Sequence, residues 1–295
     1  MDMLKSAEIA AKWGVSERSV RNYCAEGRIA GAVLIGKTWH IPANAEKPGR
    51  RVKQPQTLLE ILRDEMQNNR KGGIYHKVQI ELTYNSNHIE GSKLTHDQTR
   101  YIFETNTIGL EHESVNVDDI IETVNHFRCI DYVIANAPHA LTETYIKELH
   151  KILKTGTADS RKDWFAVGSY KRLPNEVGGR ETTSPEQVSA HMKELTGRYT
   201  ALKTVSLDDI IAFHVEFERI HPFQDGNGRV GRLIMLKECL KHGIVPFIIK
   251  DEMKLFYYRG LQNWSQERGW LTDTILTAQD QFKAYLDYFR IPYEN

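Results

Sequence analysis

His221-Pro222-Phe223-Gln224-Asp225-Gly226-Asn227-Gly228-Arg229-Val230-Gly231-Arg232 is the densest cluster of reactive side chains in the 295-residue chain. Apolar residues at helical spacing lead into it (Ile210, Phe213, His214, Phe217, Ile220), and a second helical pattern follows it. Gly226, Asn227 and Gly228 therefore open a helix. Their backbone N–H groups lie at the positive end of its dipole, which makes an anion cradle. Arg229 and Arg232, three residues apart, share a helix face and can each grip phosphate oxygens. Asp225 is suited to hold a magnesium ion that phosphates already bridge. His221 is the one group here that can accept a proton near neutral pH. Each part alone has an ordinary reading: a structural histidine, a glycine turn, a solvated arginine face. Their joint occurrence within twelve residues points to phosphate-centred transfer chemistry.

Outward from this segment the pattern is mainly helical. A first amphipathic stretch carries Leu58, Leu59, Ile61, Leu62 and Met66. Three- and four-residue apolar spacing then predicts helices over about 75–90, 96–106, 115–136, 143–154, 185–202, 207–219, 228–242, 250–266 and 272–289. The exception is about 165–183. There Phe165-Ala166-Val167-Gly168-Ser169-Tyr170, a Pro-Asn turn and Val177-Gly178-Gly179 predict a β-hairpin inserted in a helical domain.

Pro42 to Pro55 holds three prolines, a glycine and no apolar period, so it reads as a linker, with the domain break near residue 48. Before it, Ser6 can cap a helix carrying Ile9, Ala10 and Trp13 that Gly14 ends. Ser16 can cap a second helix, with Val20 and Tyr23/Cys24 inward, that ends at Gly27. Ala32 to Ile35 and Thr38 to Ile41 flank Gly36-Lys37 as a hairpin. The chain as a whole is neutral, with 39 Lys and Arg against 39 Asp and Glu, but the charge is uneven. Residues 1–53 carry a net +5 and the remainder −5, so the neutral total is no argument against nucleic acid.

The central segment resembles the signature of the Fic family, His-x-Phe-x-Asp/Glu-Gly-Asn-Gly-Arg-x-x-Arg, at every fixed position. The resemblance extends over roughly residues 57–290, through Leu233, Leu240, Gly243, Pro246 and Tyr257-Tyr258-x-x-Leu261. It implies a mainly α fold, a helical bundle with a β-hairpin flap, occupying 57–295 after a 49–56 linker. It also implies an enzyme that transfers AMP from ATP, with Mg²⁺, to a Tyr, Thr or Ser hydroxyl of a protein. In that reading His221 deprotonates the hydroxyl, Asp225 holds Mg²⁺, and Gly226, Asn227 and Gly228 cradle the phosphates. Arg229 and Arg232 hold the departing pyrophosphate, and the nucleotide lies along the run that includes Val230 and Gly231. Phe223 is a hydrophobic peg. Tyr257 and Tyr258 match the adenine-side tyrosines, with core packing the ordinary alternative for one of them. Ser265 stands where relatives often have Asn. The flap would pair with the extended backbone of a protein substrate, with Lys171 replacing a more usual Arg and Pro174, Asn175, Glu176 and Val177 near the nucleotide.

Ser86-Asn87-His88-Ile89-Glu90-Gly91 resembles the inhibitory Ser/Thr-x-x-x-Glu-Gly/Asn motif of the self-inhibited Fic subtype, on a helix around 80–91. Ser86 and Glu90, four apart, share one helix face, and Gly91 can end that helix in a left-handed cap. The resemblance implies that Glu90 pairs with Arg232 and denies it to the γ-phosphate. Alternatives stay open: removal of AMP, with Glu90 orienting a water; transfer of phosphate or another nucleotide; or a nucleotide-sensing transcriptional regulator. The Asp225 and Gly226-Asn227-Gly228-Arg229 form favours AMP over phosphate transfer, and an intact His221 is something a pure sensor does not need.

Residues 1–48 resemble the winged helix-turn-helix domains of the MerR/excisionase type, through Ser6 to Tyr23. Arg18, Arg21 and Asn22 would face a major groove and Lys37 would tip the wing of a double-stranded DNA-binding module. A small basic docking module is the alternative. One copy has a small footprint, so useful DNA affinity calls for a homodimer. Cys24, Cys129 and Cys239 are far apart, which argues against a disulfide framework and fits a cytoplasmic protein. No apolar run approaches the roughly 18 residues of a membrane span, so no membrane partner is expected.

Overall fold

Short polar and glycine punctuation sets the N-terminal elements. Strand β1 (Met3–Lys5) runs directly into helix α1 (Ser6–Trp13), which Gly14 ends in the left-handed region at φ 64°. Ser16 caps α2 (Glu17–Ala25) by accepting the Ser19 N–H at 3.2 Å. Ser6 does not cap α1. Lys5 holds that position, its N–H bonded to the Glu8 carboxylate at 2.7 Å, while the Ser6 hydroxyl donates to Glu17 at 2.8 Å. Strands β2 (Val33–Ile35) and β3 (Thr38–Pro42) pair antiparallel, with Val33 opposite His40, and β1 joins the other edge of β3 with Met3 opposite Pro42. β1 was not foreseen, because three residues are too short to show a period. Ile9, Ala10, Val20, Cys24, Ile29 and Ile41 form the core of this small unit.

The chain is described by a computed structural model that covers residues 2–49, 56–109 and 114–294. It divides into two units, Met1–Pro55 and Gln56–Asn295. Apart from Gly49 and Gln56, the linker expected at 49–56 lies outside the described residues. Among the described residues no helix is long and apolar enough to cross a membrane. Cys24, Cys129 and Cys239 are free and buried.

The second unit is a bundle of α3 (Leu58–Gln67), α4 (Ile74–Ile89), α5 (His96–Thr105), α6 (Val117–Asn136) and α7 (Glu143–Lys154), followed by α8 (Pro185–Thr200), α9 (Leu207–Ile220), α10 (Asn227–His242), α11 (Lys254–Asn263) and α12 (Gly269–Phe289). Between α7 and α8 lies a small two-stranded sheet. Helix α10 is the axis: from Arg229 to Leu240 every residue is buried, and it packs against α4, α6, α7 and α9. A helix apolar on all faces must lie inside. Here Val230, Leu233, Ile234, Met235, Leu236, Cys239 and Leu240 surround the axis. Its N-terminus is the Gly-Asn-Gly turn, so the fold carries the reactive segment into the middle of the bundle.

Two further elements differ from the pattern in the sequence. The hairpin over 165–183 is much shorter: only β4 (Glu176–Val177) and β5 (Arg180–Glu181) pair, and the turn is Gly178-Gly179, not Pro-Asn. Both glycines have positive φ, 59° and 74°, as a tight two-residue turn requires. Phe165 and Lys171 are buried instead of pairing as a strand, and Pro174 has no N–H for a ladder. The helix foreseen over 250–266 begins with a 3₁₀ turn at Asp251–Met253 and continues only to Asn263, whereas the last helix starts three residues earlier than foreseen, at Gly269.

Gly260 permits the α11–α12 approach, since a Cβ there would lie 2.7 Å from the Cα of Leu271. Gly260→Ala is expected to destabilise the protein by about 1–3 kcal/mol, whereas Gly197→Ala, on an open face of α8, should be neutral or stabilising by up to about 1 kcal/mol. Urea unfolding of both variants checks the contrast.

Candidate active site

Helix α9 ends at His221, a non-glycine residue in the left-handed region with φ 50°. Its N–H bonds the Phe217 carbonyl at 2.9 Å, closing the helix. Such a conformation persists only where the surroundings enforce it. Here Phe223, 0% exposed, plugs the loop and stacks on His150 with ring centroids 4.0 Å apart and planes at 4°. The Asn227 side chain bonds both the N–H and the carbonyl of Phe223, each at 2.8 Å. Asn227 thus shapes the turn through its side chain. Gly226 enters α10 at φ 80°, and no side chain caps that helix.

The two arginines of α10 are each 4% exposed and take different partners. Arg229 pairs with Glu122 of α6 and, at 3.3 Å, with Asp225. Arg232 donates through Nε to the Ser86 hydroxyl at 2.9 Å, and through Nη2 to the Ser86 carbonyl at 3.0 Å and to Glu90 Oε1 at 2.7 Å. Glu90 follows the last residue of α4, and Gly91, φ 102°, turns the chain away. Glu90 Oε1 lies so close to Gly228 that a Cβ there would overlap it. The carboxylate therefore sits at the positive end of α10 as well as on Arg232. Arg229 Nε and Arg232 Nη1 are buried with no protein partner.

Burial lowers the His221 imidazole to about 4, with Lys171 acting the same way and the Glu218 carbonyl opposing. That carbonyl lies 3.4 Å from Nδ1, so a neutral ring with its proton on Nδ1 leaves Nε2 as an acceptor. Burial raises Glu218 to about 8, reinforced by Glu90 and opposed by Arg232. Against burial, Arg229 and Lys154 hold the Asp225 carboxyl well below the ordinary range. Asp225 Oδ2 meets Lys154 at 2.6 Å and Arg229 at 3.3 Å, the Gly226 N–H also bonds the carboxylate, and the side chain is 47% exposed. The described residues hold no cluster of three metal-ligating side chains. A half-exposed, ionised carboxylate suits a cation whose other ligands are phosphates and water.

The flap is tied to this loop. The Lys171 N–H bonds the Pro222 carbonyl at 2.8 Å, and the Asn175 side chain bonds the Phe223 carbonyl at 3.0 Å. Lys171 is buried, which lowers it to about 8, and it bonds Asn175 and Thr182. Asn175 is thereby a strut, while Glu176 and Val177 are exposed. Between flap, α9 and α11 opens a cavity of about 540 Å³ lined by Val177, Glu218, Tyr258, Leu261 and Gln262. Of the two tyrosines, Tyr258 lines it. Tyr257 is 1% exposed and is bonded to His214 at 2.6 Å, so it belongs to the core. Ser265 accepts from Arg219 at 2.7 Å. In the N-terminal unit Arg18, Arg21, Asn22 and Lys37 are exposed, with Arg21 paired to Glu17 at 2.7 Å.

Glu122, Lys154, Glu218 and Gln262 were not foreseen. Glu218 could have been, since it stands one turn before His221 on the same helix. Glu122 and Lys154 are distant in sequence and carry no local signal.

Residues 140–239 match the Fic/DOC family, and the chain carries a Fic/DOC domain. Its curated relatives include a protein adenylyltransferase Fic of Culex quinquefasciatus, 28% identical over 187 residues, and one of Drosophila willistoni, 29% identical over 184 residues. These alignments cover 62% and 61% of this chain and 36% and 35% of the relatives, so the chain spans about a third of their length. Among solved structures, a Fic domain containing signaling protein from Bacteroides thetaiotaomicron is 26% identical with a TM-score of 0.58, over 78% of this chain and 90% of that one. Fic-1 from C. elegans shares the fold, with a TM-score of 0.60 at 21% identity, over 79% of this chain and 71% of that one.

His126 and His214 are fully buried, and burial, with Arg232 contributing to both, holds each near 3. A histidine depressed in the folded state favours folding above its unfolded pKa of about 6.5, and that stability is lost as pH falls toward 3. Unfolding stability is expected to fall from pH 6.5 to 5, above the carboxylate range. Urea titrations at pH 7, 6 and 5 check it, and a flat result would contradict it.

Proposed function

We propose that the chain is a protein adenylyltransferase that transfers AMP from ATP to a protein hydroxyl and is restrained by its own Glu90. The observation that carries this reading is the pair of buried arginines at the uncapped N-terminus of α10, each with an N–H that has no protein partner. Two guanidiniums carried near the positive end of one helix suit a polyphosphate. His221 Nε2 takes the proton of the attacking Tyr, Thr or Ser hydroxyl. The new bond joins that oxygen to the α-phosphorus, the α-phosphorus–oxygen bond to the β-phosphate breaks, and pyrophosphate leaves toward Arg229 and Arg232. Asp225 would hold Mg²⁺, whose charge offsets that of the pyrophosphate. Tyr258, Leu261 and Gln262 supply a half-apolar wall for the base, and the exposed β4 edge offers backbone pairing to an extended segment of the target.

Glu90 supplies the restraint. Its carboxylate occupies both the Arg232 fork and the helix end that an ATP phosphate would use, so ATP is kept from its attack geometry. Losing a near-attack pose costs orders of magnitude in rate. Glu90→Gly is expected to raise AMP transfer, self-modification included, by about a hundredfold or more. The further change His221→Ala should abolish it. Intact-mass measurement after incubation with Mg-ATP reads the AMP adduct, and equal labelling with and without Glu90 would defeat the restraint.

We also propose that the N-terminal unit binds double-stranded DNA. Arg18 and Asn22 on the exposed face of α2, with Lys37 at the β2–β3 turn, match a recognition helix and wing. Full-length protein should retard duplex DNA with an affinity that falls steeply with salt, and a variant lacking residues 1–48 should not. No retardation at low salt would favour a docking module.

A further inference from the structure

Beneath the reactive loop lies a closed ring of four charges. Glu122 divides its two oxygens, Oε1 to Lys154 and Oε2 to Arg229. Asp225 Oδ2 receives both cations in turn, Lys154 at 2.6 Å and Arg229 at 3.3 Å. Two positive and two negative groups alternate, so the ring is neutral. The Lys154 side chain is 3% exposed and that of Glu122 13%, whereas that of Asp225 is 47% exposed and reaches the site.

The backbone around Lys154 is fixed as well. Asn125 Nδ2, on α6, donates to the carbonyls of Leu153 at 2.9 Å and Thr155 at 2.8 Å, on either side of Lys154. The Thr157 hydroxyl donates to the Lys154 carbonyl at 2.9 Å. A long, flexible lysine is therefore anchored at its base by α6 and at its tip by two carboxylates.

Buried ion pairs are a poor device for stability, because desolvating the charges offsets much of their attraction and apolar residues often serve as well. Their strength is geometric: they hold groups in one place. We propose that Lys154, held by Glu122, is a positioning residue for Asp225, engaging Oδ2 so that Oδ1 faces the site as the ligand for a divalent cation. Glu122 couples the same anchor to Arg229, so one carboxylate outside the loop sets the metal ligand and a phosphate-binding arginine together. This rests on the adenylyltransferase reading, in which Asp225 holds Mg²⁺.

The test is the affinity of Mn²⁺ for the complex of full-length protein with ADP, measured by calorimetry, alongside ADP binding in EDTA. ADP lacks the γ-phosphate for which Glu90 competes. Glu122→Gln combined with Lys154→Met removes one charge of each sign, so the net charge stays constant. We expect Mn²⁺ affinity to fall about tenfold while metal-free ADP binding changes less than twofold, and Lys154→Arg to restore most of the loss. Should the double variant not fold, Lys154→Gln decides. Loss of orientation weakens Mn²⁺ binding, whereas simple relief of charge repulsion tightens it. Unchanged or tighter Mn²⁺ binding in the variants overturns the proposal. Wild-type protein that binds no Mn²⁺ with ADP overturns the adenylyltransferase reading and this proposal with it.

Discussion

Arg232, buried near the N-terminus of α10, is paired with Glu90 from the end of α4 at 2.7 Å. A helix buried from Arg229 to Leu240, with one arginine in each of its first two turns, brings its dipole and two guanidiniums into the interior. Such charge is tolerated only with partners, and removing one partner from a buried pair costs about 3–5 kcal/mol. The fold meets the requirement twice, with Glu122 and Asp225 on Arg229 and with Ser86 and Glu90 on Arg232. Glu90 completes the electrostatics of this buried helix end, and in the function proposed above it also holds the place of a nucleotide phosphate.

The two arginines are held for different ends. Arg229 sits in a closed ring with buried anchors, a rigid arrangement. Arg232 is held by Glu90, whose side chain is 27% exposed and which follows the final turn of α4, next to a glycine. A carboxylate at a helix end can be displaced with less loss of packing than one locked within a helix core. The flap follows the same division: its base is fixed through Lys171 and Asn175 to the loop, and its short strands are exposed.

Much of this was legible in the sequence where the chemistry is local. The run 221–232 carries its base, carboxylate, glycine turn and arginines within a few turns of chain, and the four-residue spacing of Ser86 and Glu90 places both on the side that meets Arg232. The apolar periods located the helices because burial on one stripe repeats every three or four residues. Other features depend on packing between distant segments. Glu122 and Lys154 reach the site from α6 and α7, and nothing in their neighbours announces it. Phe165 to Lys171 looks strand-like in composition but is unpaired, with Phe165 and Lys171 turned inward, leaving a two-residue ladder closed by Gly178-Gly179. Tyr257 and Tyr258 are adjacent, so sequence could not say which faces the cavity. The helix rotation decides it, and His214 takes Tyr257.

Whether Glu90 restrains AMP transfer by holding Arg232 is read from a double-mutant cycle on the rate of AMP transfer. Glu90→Gly should raise the rate strongly when Arg232 is present and scarcely at all in an Arg232→Ala background. An equal rise in both backgrounds would show that Glu90 restrains the protein by some route other than Arg232.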